Sequence, residues 1–146
     1  MSKPLRIALL HAAIAYGKVD ENRQALLDMI SRAAGAGAEL IVAPEMALSG
    51  YSFDSREAIA PFVETIDGPT VNAVGELARL HGVYVCVGLA LEEPQTGIFH
   101  NSAVVVEPPA RWPAVMIKST PKAVGPAREM PGRTTRLKRL GDASAF

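Results

Sequence analysis

Residues 39–45 read Glu-Leu-Ile-Val-Ala-Pro-Glu, and Ser-Gly-Tyr follows at residues 49–51. The uninterrupted apolar run Leu40–Ala43 is typical of a short β-strand. Pro44 ends this strand because proline lacks the backbone N–H that a strand ladder needs. The sequence therefore predicts a strand over residues 39–43, with the carboxylate of Glu45 in the loop just beyond its end.

A strand and a helix are predicted before this segment. Leu5–His11 is a short apolar run, which we interpret as a strand buried on both faces. Asp20 opens a helix over Glu21–Ala34, where apolar residues recur at spacings of three and four, and Gly35 supplies a stop. Strand, helix and strand in this order predict an α/β layer fold.

Further helices and strands are predicted in the later part of the chain. Residues 45–68 are predicted to be mostly a long connection with a short helix near Arg56–Phe62. Thr70–His81 is predicted to be a second amphipathic helix, which ends at Gly82. Three more strands are predicted, the last two as an antiparallel pair: Val83–Leu91, Asn101–Val106 and Pro113–Lys118.

Composition and charge exclude several classes of protein. The chain has 146 residues, of which 49% are hydrophobic and 21% are charged, as in a packed domain rather than a disordered chain. Lys and Arg number 15, as do Asp and Glu, so no net charge attracts nucleic acid or an anionic membrane. No apolar run approaches the roughly 18 residues of a membrane span. With no secretory signal pattern at residues 1–20, we expect a soluble, cytoplasmic protein.

The last fifteen residues differ from the rest. Residues 132–146 contain four basic residues and Asp142 as the one acidic residue, whereas residues 1–131 carry 11 basic and 14 acidic residues. This segment also lacks the aliphatic runs that mark the predicted strands. We therefore expect a domain over residues 1–131, followed by a basic tail of different character over residues 132–146.

Glu45 is the first candidate catalytic residue. A carboxylate at the end of a strand in an α/β fold lies where such folds build their sites. A solvated glutamate in a surface loop is the alternative, because most glutamates are exposed.

Several segments together resemble the carbon–nitrogen hydrolase (nitrilase) superfamily. The box at residues 39–45 with Ser-Gly-Tyr at 49–51 resembles the first catalytic box of its amidase-like branch. Asp20-Glu21-Asn22, Asp67-Gly68-Pro69 and Asn101-Ser102-Ala103 resemble later family segments, in order, from residue 5 to residue 132. The resemblance implies the N-terminal half of a nitrilase-like α-β-β-α sandwich. It also implies one apolar sheet face without its partner layer.

The family's chemistry implies roles for particular residues. A thiolate attacks the amide or nitrile carbon, a carboxylate carries protons, and an ammonium neutralises the developing oxyanion. Glu45 matches the carboxylate. Lys118, after the strand that follows Asn-Ser-Ala, matches the ammonium, and Lys122 is its alternative. Glu129 resembles a glutamate that follows the family's lysine, with compressed spacing.

The nucleophile of that mechanism has no counterpart in this sequence. The family's cysteine is expected some thirty residues beyond the lysine, where this chain has already ended. Cys86 is the only cysteine, and it lies inside the strand predicted over Val83–Leu91, where we interpret it as structural. We therefore expect a truncated or frame-shifted family member that is inactive, or nearly so, by itself, and whose residues 132–146 are not family sequence.

Two functions remain open at this stage. The first is an amidase-type hydrolase that acts on a small amide without a metal or organic cofactor. The second is a non-catalytic half-domain that binds a ligand or another subunit. No nucleic-acid or membrane partner is expected, and self-association is left open. His11, His81 and His100 are too scattered in sequence to predict a metal site.

Overall fold

The described part of the chain forms one mixed β-sheet with helices. This computed structural model describes residues 3–108, 114–117 and 136–139, and within them six strands lie side by side in chain order. The strands are β1 (Ile7–Leu9), β2 (Leu40–Val42), β3 (Tyr84–Glu93), β4 (Ile98–Val106), β5 (Ala114–Ile117) and β6 (Arg136–Arg139). The first three strands are parallel, and each strand from β3 to β6 runs antiparallel to its neighbour. The predicted α/β fold and the antiparallel pairing of β4 with β5 are confirmed.

The helices connect the parallel strands. Helix α1 (Val19–Gly35) joins β1 to β2, and helix α3 (Pro69–His81) joins β2 to β3. Proline suits the first position of α3 because the first N–H groups of a helix have no intrahelical acceptor. Gly82 ends α3 in the left-handed conformation, with φ of 64°. The connection between β2 and α3 contains α2 (Arg56–Ile59) and a 3₁₀ turn at Ala60–Phe62, as predicted.

The hydrophobic core lies on one face of the sheet. Alternate residues of β3 contribute to it because successive side chains of a strand point to opposite faces. The buried residues of the core include Leu26, Ile30, Ile41, Val74, Ala78, Val85, Val87, Leu89, Leu91 and Val104. Residues of α1 and α3 are among them, so these two helices cover this face.

The opposite face carries exposed apolar side chains. Ile7 is 54% exposed, Leu9 78% and Tyr84 46%. The register places Leu40 between Ile7 and Tyr84, so these residues share one face. Our prediction that the first strand is buried on both faces is therefore wrong. β1 is an edge strand, and the helices of the described residues cover only the side where Ala8 packs on the core.

The C-terminal segment contributes a strand to the sheet. Arg136–Arg139 forms β6 and pairs with β5, although residues 132–146 lack the aliphatic runs that mark the predicted strands. Backbone hydrogen bonds hold a strand without an aliphatic run, since β-propensity depends strongly on context. Lys118, Lys122 and Glu129 lie outside the described residues. The domain boundary at residue 132 stays a prediction.

An ion pair fixes the far end of the connection after β2. Arg23 on α1 donates to Glu64 across 2.9 Å and to the Thr70 hydroxyl across 2.8 Å. The Glu64 backbone donates to the Ala90 carbonyl oxygen and accepts from Glu92 N. These contacts tie the connection to α1, α3 and β3. Among the described residues, no helix is long and apolar enough to cross a membrane.

Candidate active site

The backbone around Glu45 runs along β3 after β2 has ended. Ala43 N donates to the Cys86 carbonyl oxygen at 2.8 Å, and Ala47 N donates to the Gly88 carbonyl oxygen at 2.9 Å. Gly88 N donates to the Pro44 carbonyl oxygen at 3.2 Å. Glu45 is thus held against the middle of the sheet rather than placed in a free loop. The prediction that it follows the end of a strand is confirmed.

Gly88 allows this close approach. A Cβ atom at Gly88 would lie 2.5 Å from the Cα of Glu45 and 2.7 Å from the carbonyl oxygen of Pro44. Both distances are well below ordinary van der Waals contact, and both neighbours are backbone atoms. Only a glycine therefore permits the Glu45 backbone to approach β3 this closely.

Among the described residues, Asn101 and Tyr51 donate hydrogen bonds to the Glu45 carboxylate. The Asn101 side-chain amide donates to Oε1, and the Tyr51 hydroxyl donates to Oε2 across 3.0 Å. Asn101 lies opposite Ala90 in the β3–β4 register, and Gly88 lies opposite Ala103, so all four residues share one sheet face. The carboxylate is therefore oriented over this face by β4 and by the connection that follows Glu45.

Helix α1 supports the loop from behind. The buried Asn22 side chain donates to the carbonyl oxygens of Leu48 and Ala15 at 2.7 Å each and accepts from Ala15 N at 3.0 Å. Met46 has φ of 51° and Gly50 has φ of 74°, and Gly50 N closes the turn onto the Met46 carbonyl oxygen at 3.0 Å. The turn that directs Tyr51 back to Glu45 is thus fixed by a buried amide.

Tyr51 keeps its proton in this setting. Burial raises the pKa of the Tyr51 phenol, and the hydrogen bond and negative charge of Glu45 raise it further. A phenol with a raised pKa remains a donor at neutral pH. Tyr51 can therefore orient the carboxylate while it stays uncharged.

Cys86 lies on the same sheet face as Gly88, two residues earlier on β3. Burial raises the pKa of the Cys86 thiol, which lowers the fraction of reactive thiolate at neutral pH. The structure thus gives this cysteine the environment of a structural residue.

Alkylation tests this assignment. Since Cys86 is the only cysteine, iodoacetamide incorporation measured by mass reports on it alone. We expect alkylation at pH 7.5 to be at least about tenfold slower in the folded chain than in guanidinium, with an acceleration as the pH rises toward the raised pKa. Equal rates in the folded and denatured chain would contradict the assignment.

The remaining predicted site residues are not all placed. β5 ends at Ile117, which pairs with Ser102, the neighbour of Asn101. Lys118 and Lys122 lie outside the described residues, and their roles stay a prediction. Of the residues it describes, no group of three or more His, Cys, Asp or Glu could hold a metal ion.

Sequence reasoning missed three supporting residues. Asn22 and Asn101 stood in matched segments without an assigned role, and Gly88 had no motif at all. A glycine within a strand predicts a close backbone approach, and this was the available signal for Gly88. The contacts of the two asparagines depend on residues 26 and 56 positions away, so no local pattern reports them.

Comparison with known proteins supports one family. The family model described as Carbon-nitrogen hydrolase matches residues 6–141. A nitrilase from Pyrococcus abyssi is 37% identical over 90 residues, which cover 61% of this chain and 34% of that protein. The protein N-terminal amidase of Schizosaccharomyces pombe is 35% identical over 101 residues, which cover 63% of this chain and 35% of that protein. The chain thus spans about a third of the length of these relatives.

Solved structures share the fold. An N-terminal amidase aligns with a TM-score of 0.70 at 23% identity, covering 82% of this chain and 29% of that chain. A carbon–nitrogen hydrolase superfamily protein from Xanthomonas campestris, with an arsenic adduct in its active site, aligns with a TM-score of 0.67 at 25% identity. That alignment covers 80% of this chain and 41% of that chain. The first likeness supports the fold alone.

Proposed function

The chain belongs to the carbon–nitrogen hydrolase family, and from this premise we propose that it is an amidase-type hydrolase in which Glu45 carries protons at a small amide. The observation that carries the proposal is the Glu45 carboxylate, held by Asn101 and Tyr51 at the end of β2. Tyr51 is 54% exposed and Glu45 is half-buried, so this pair lies near the protein surface.

The proposed chemistry is acyl transfer through a thioester. A carboxylate takes the proton of a thiol as its sulfur attacks the amide carbon, and it returns that proton to the departing nitrogen. The C–N bond breaks, ammonia or an amine leaves, and water then cleaves the thioester with the same carboxylate as base. Glu45 suits this proton shuttle because Asn101 and Tyr51 each orient one of its two oxygens.

Lys118 is proposed as the ammonium that stabilises the oxyanion. It follows directly on Ile117, the last residue of β5, which pairs with the neighbour of Asn101. Lys122, four residues further along the chain, remains the alternative.

The thiol of this mechanism is proposed to be a residue other than Cys86. The raised pKa of Cys86 disfavours the thiolate that an attack on an amide requires. The 146-residue chain is therefore expected to bind amides at Glu45 and to hydrolyse them slowly at best, at a rate that Cys86→Ala leaves unchanged.

The substrate class is proposed from the chemistry and from the relatives. The names nitrilase and protein N-terminal amidase apply to proteins that this chain resembles. A primary amide offers N–H donors for the Glu45 carboxylate and a carbonyl oxygen for an ammonium. Simple primary amides, and peptides with N-terminal Asn or Gln, are therefore the first ligands to test.

A titration with propionamide tests the proposal and separates the two lysines. We expect shifts in a ¹⁵N NMR spectrum at the backbone amides of Glu45, Tyr51 and Asn101, and weaker shifts with methyl propionate, which has no N–H donor. Lys118→Met should weaken amide binding about threefold to tenfold, since it removes a charge-assisted hydrogen bond to the carbonyl. Lys122→Met is the matched control and should change it less than twofold.

The opposite outcomes are equally clear. Shifts remote from Glu45, or none at all, would overturn the proposal. A larger effect of Lys122→Met than of Lys118→Met would exchange the roles of the two lysines.

The exposed apolar face favours a second candidate function. Ile7, Leu9 and Tyr84 are too exposed to contribute to a core in the described residues. Such a face fits a half-domain that associates with another subunit, with Glu45 retained but unused. In that case the association state, measured by sedimentation, would depend on this face and would not respond to substitution of Glu45.

A further inference from the structure

Arg56 lies over the same sheet face as the Glu45 carboxylate. Its guanidinium carbon is 3.8 Å from the centroid of the Phe99 ring, and its Nη2 donates to the Gly97 carbonyl oxygen. Phe99 precedes Asn101 by two positions on β4, so both side chains point to the same face. The cation therefore lies about 7 Å along the strand from the residue that holds Glu45.

Two contacts position the Arg56 side chain. The ring of Phe99 supports one face of the planar guanidinium, and the Gly97 carbonyl accepts one of its N–H groups. This stacking favours one orientation of the guanidinium. An arginine held in this way loses less side-chain entropy when it binds a ligand than a lysine would. Arg56 itself begins α2, whose N-cap Ser55 accepts a hydrogen bond from Ala58 N at 3.1 Å.

The guanidinium retains free donors. Across residues 3–108, Arg56 makes no ion pair, even though Glu92 lies opposite Phe99 in the register. One hydrogen bond to Gly97 leaves the other N–H groups of the fork for a ligand. A carboxylate matches this fork because it accepts two parallel hydrogen bonds.

We propose that Arg56, supported by Phe99, is a specificity-determining residue that binds a carboxylate of the substrate while the amide of the same substrate contacts Glu45. The inference rests on the proposed function, and it narrows the substrate class to amides that also carry a carboxylate. Arg56 makes no bond to the reacting atoms, so it selects the substrate without taking part in the chemistry.

Paired ligands test the proposal. Succinamate carries one amide and one carboxylate, and succinamide replaces that carboxylate with a second neutral amide of the same shape. Calorimetric titration of the full 146-residue chain at low salt should show succinamate binding about fivefold to tenfold tighter than succinamide, because exposure reduces the value of the charge-assisted pair. The preference should shrink as salt is raised, since the charged group is exposed.

Substitutions assign the preference to Arg56. Arg56→Gln should bring the two affinities within twofold of each other, mainly by weakening the binding of succinamate. Phe99→Leu should reduce the preference without removing the charge, because the guanidinium loses its platform. The matched control is Arg32→Gln, which changes an exposed arginine on α1. This variant should keep the full preference for succinamate over succinamide.

Each contrary result has a distinct meaning. Equal binding of the two ligands to the unmodified chain would overturn this inference and leave the proposed function intact. A preference that survives Arg56→Gln would assign it to another residue and also overturn the inference. Binding of neither ligand would overturn both the inference and the proposed function.

Discussion

Glu45→Gln should weaken the binding of propionamide to this chain by about 10- to 100-fold. The substitution replaces a charged acceptor by a neutral amide, and a hydrogen bond to a charged group contributes about 1.5–3 kcal/mol. Asn101 and Tyr51 both donate to Glu45, so a glutamine must turn its NH₂ group toward one of these donors. The affinity is measured by the same NMR titration that maps the amide-binding residues.

Glu45→Gln should reduce the rate of hydrolysis even more than it reduces amide binding. Where a thiol attacks an amide at this site, Glu45→Gln should lower kcat about 10²–10⁴-fold, as expected when a general base is removed. Glu39→Gln is the matched control, because Glu39 precedes β2 and accepts hydrogen bonds from Lys3 and Arg6 at the other end of the strand. It should leave amide binding unchanged.

The same variant separates the enzyme from the half-domain scaffold. If Glu45→Gln binds propionamide as tightly as the unmodified chain, the carboxylate is not the amide acceptor and the proposed function is wrong. If the variant loses amide binding and keeps its sedimentation coefficient, the site and the exposed apolar face act independently.

Gly88→Ala should lower the free energy of unfolding by about 3 kcal/mol. The new methyl group would approach the Glu45 Cα to 2.5 Å, and the obstacle is backbone that no side-chain rotation can move. Overpacking of this kind typically costs about 1–3 kcal/mol, and this contact lies at the severe end. Urea denaturation followed by circular dichroism measures the change.

A second glycine provides the control. Gly35, the last residue of α1, has no atom within 4 Å of an added Cβ. Gly35→Ala should therefore raise the free energy of unfolding by up to about 1 kcal/mol, through helix propensity and a restricted unfolded chain. A Gly88→Ala chain as stable as the unmodified one would show that the Glu45 backbone does not lie in close contact with Gly88. If the variant stays folded, it should still lose amide binding because Glu45 is displaced.

Local sequence patterns predict the secondary-structure elements and the first site residue. Apolar periodicity predicted α1 and α3 to within two residues at each end, because an amphipathic helix carries its burial pattern locally. The box at residues 39–45 predicted β2 and placed Glu45 beyond its end. These predictions succeeded because strand length, helix spacing and proline positions are local properties of the chain.

The exposure of side chains and the contacts between distant residues depend on tertiary packing. The apolar run of β1 predicted burial on both faces, but its place at the edge of the sheet leaves Ile7 and Leu9 exposed. Asn101, Gly88 and Asn22 acquire roles only through strand register and helix packing, and so does the position of Arg56 over Phe99. Their partners are distant in sequence, and such contacts exist only once the strands have paired and the helices have packed on the sheet. The sequence therefore specified which residue could carry protons, and the fold specified which residues hold it in place.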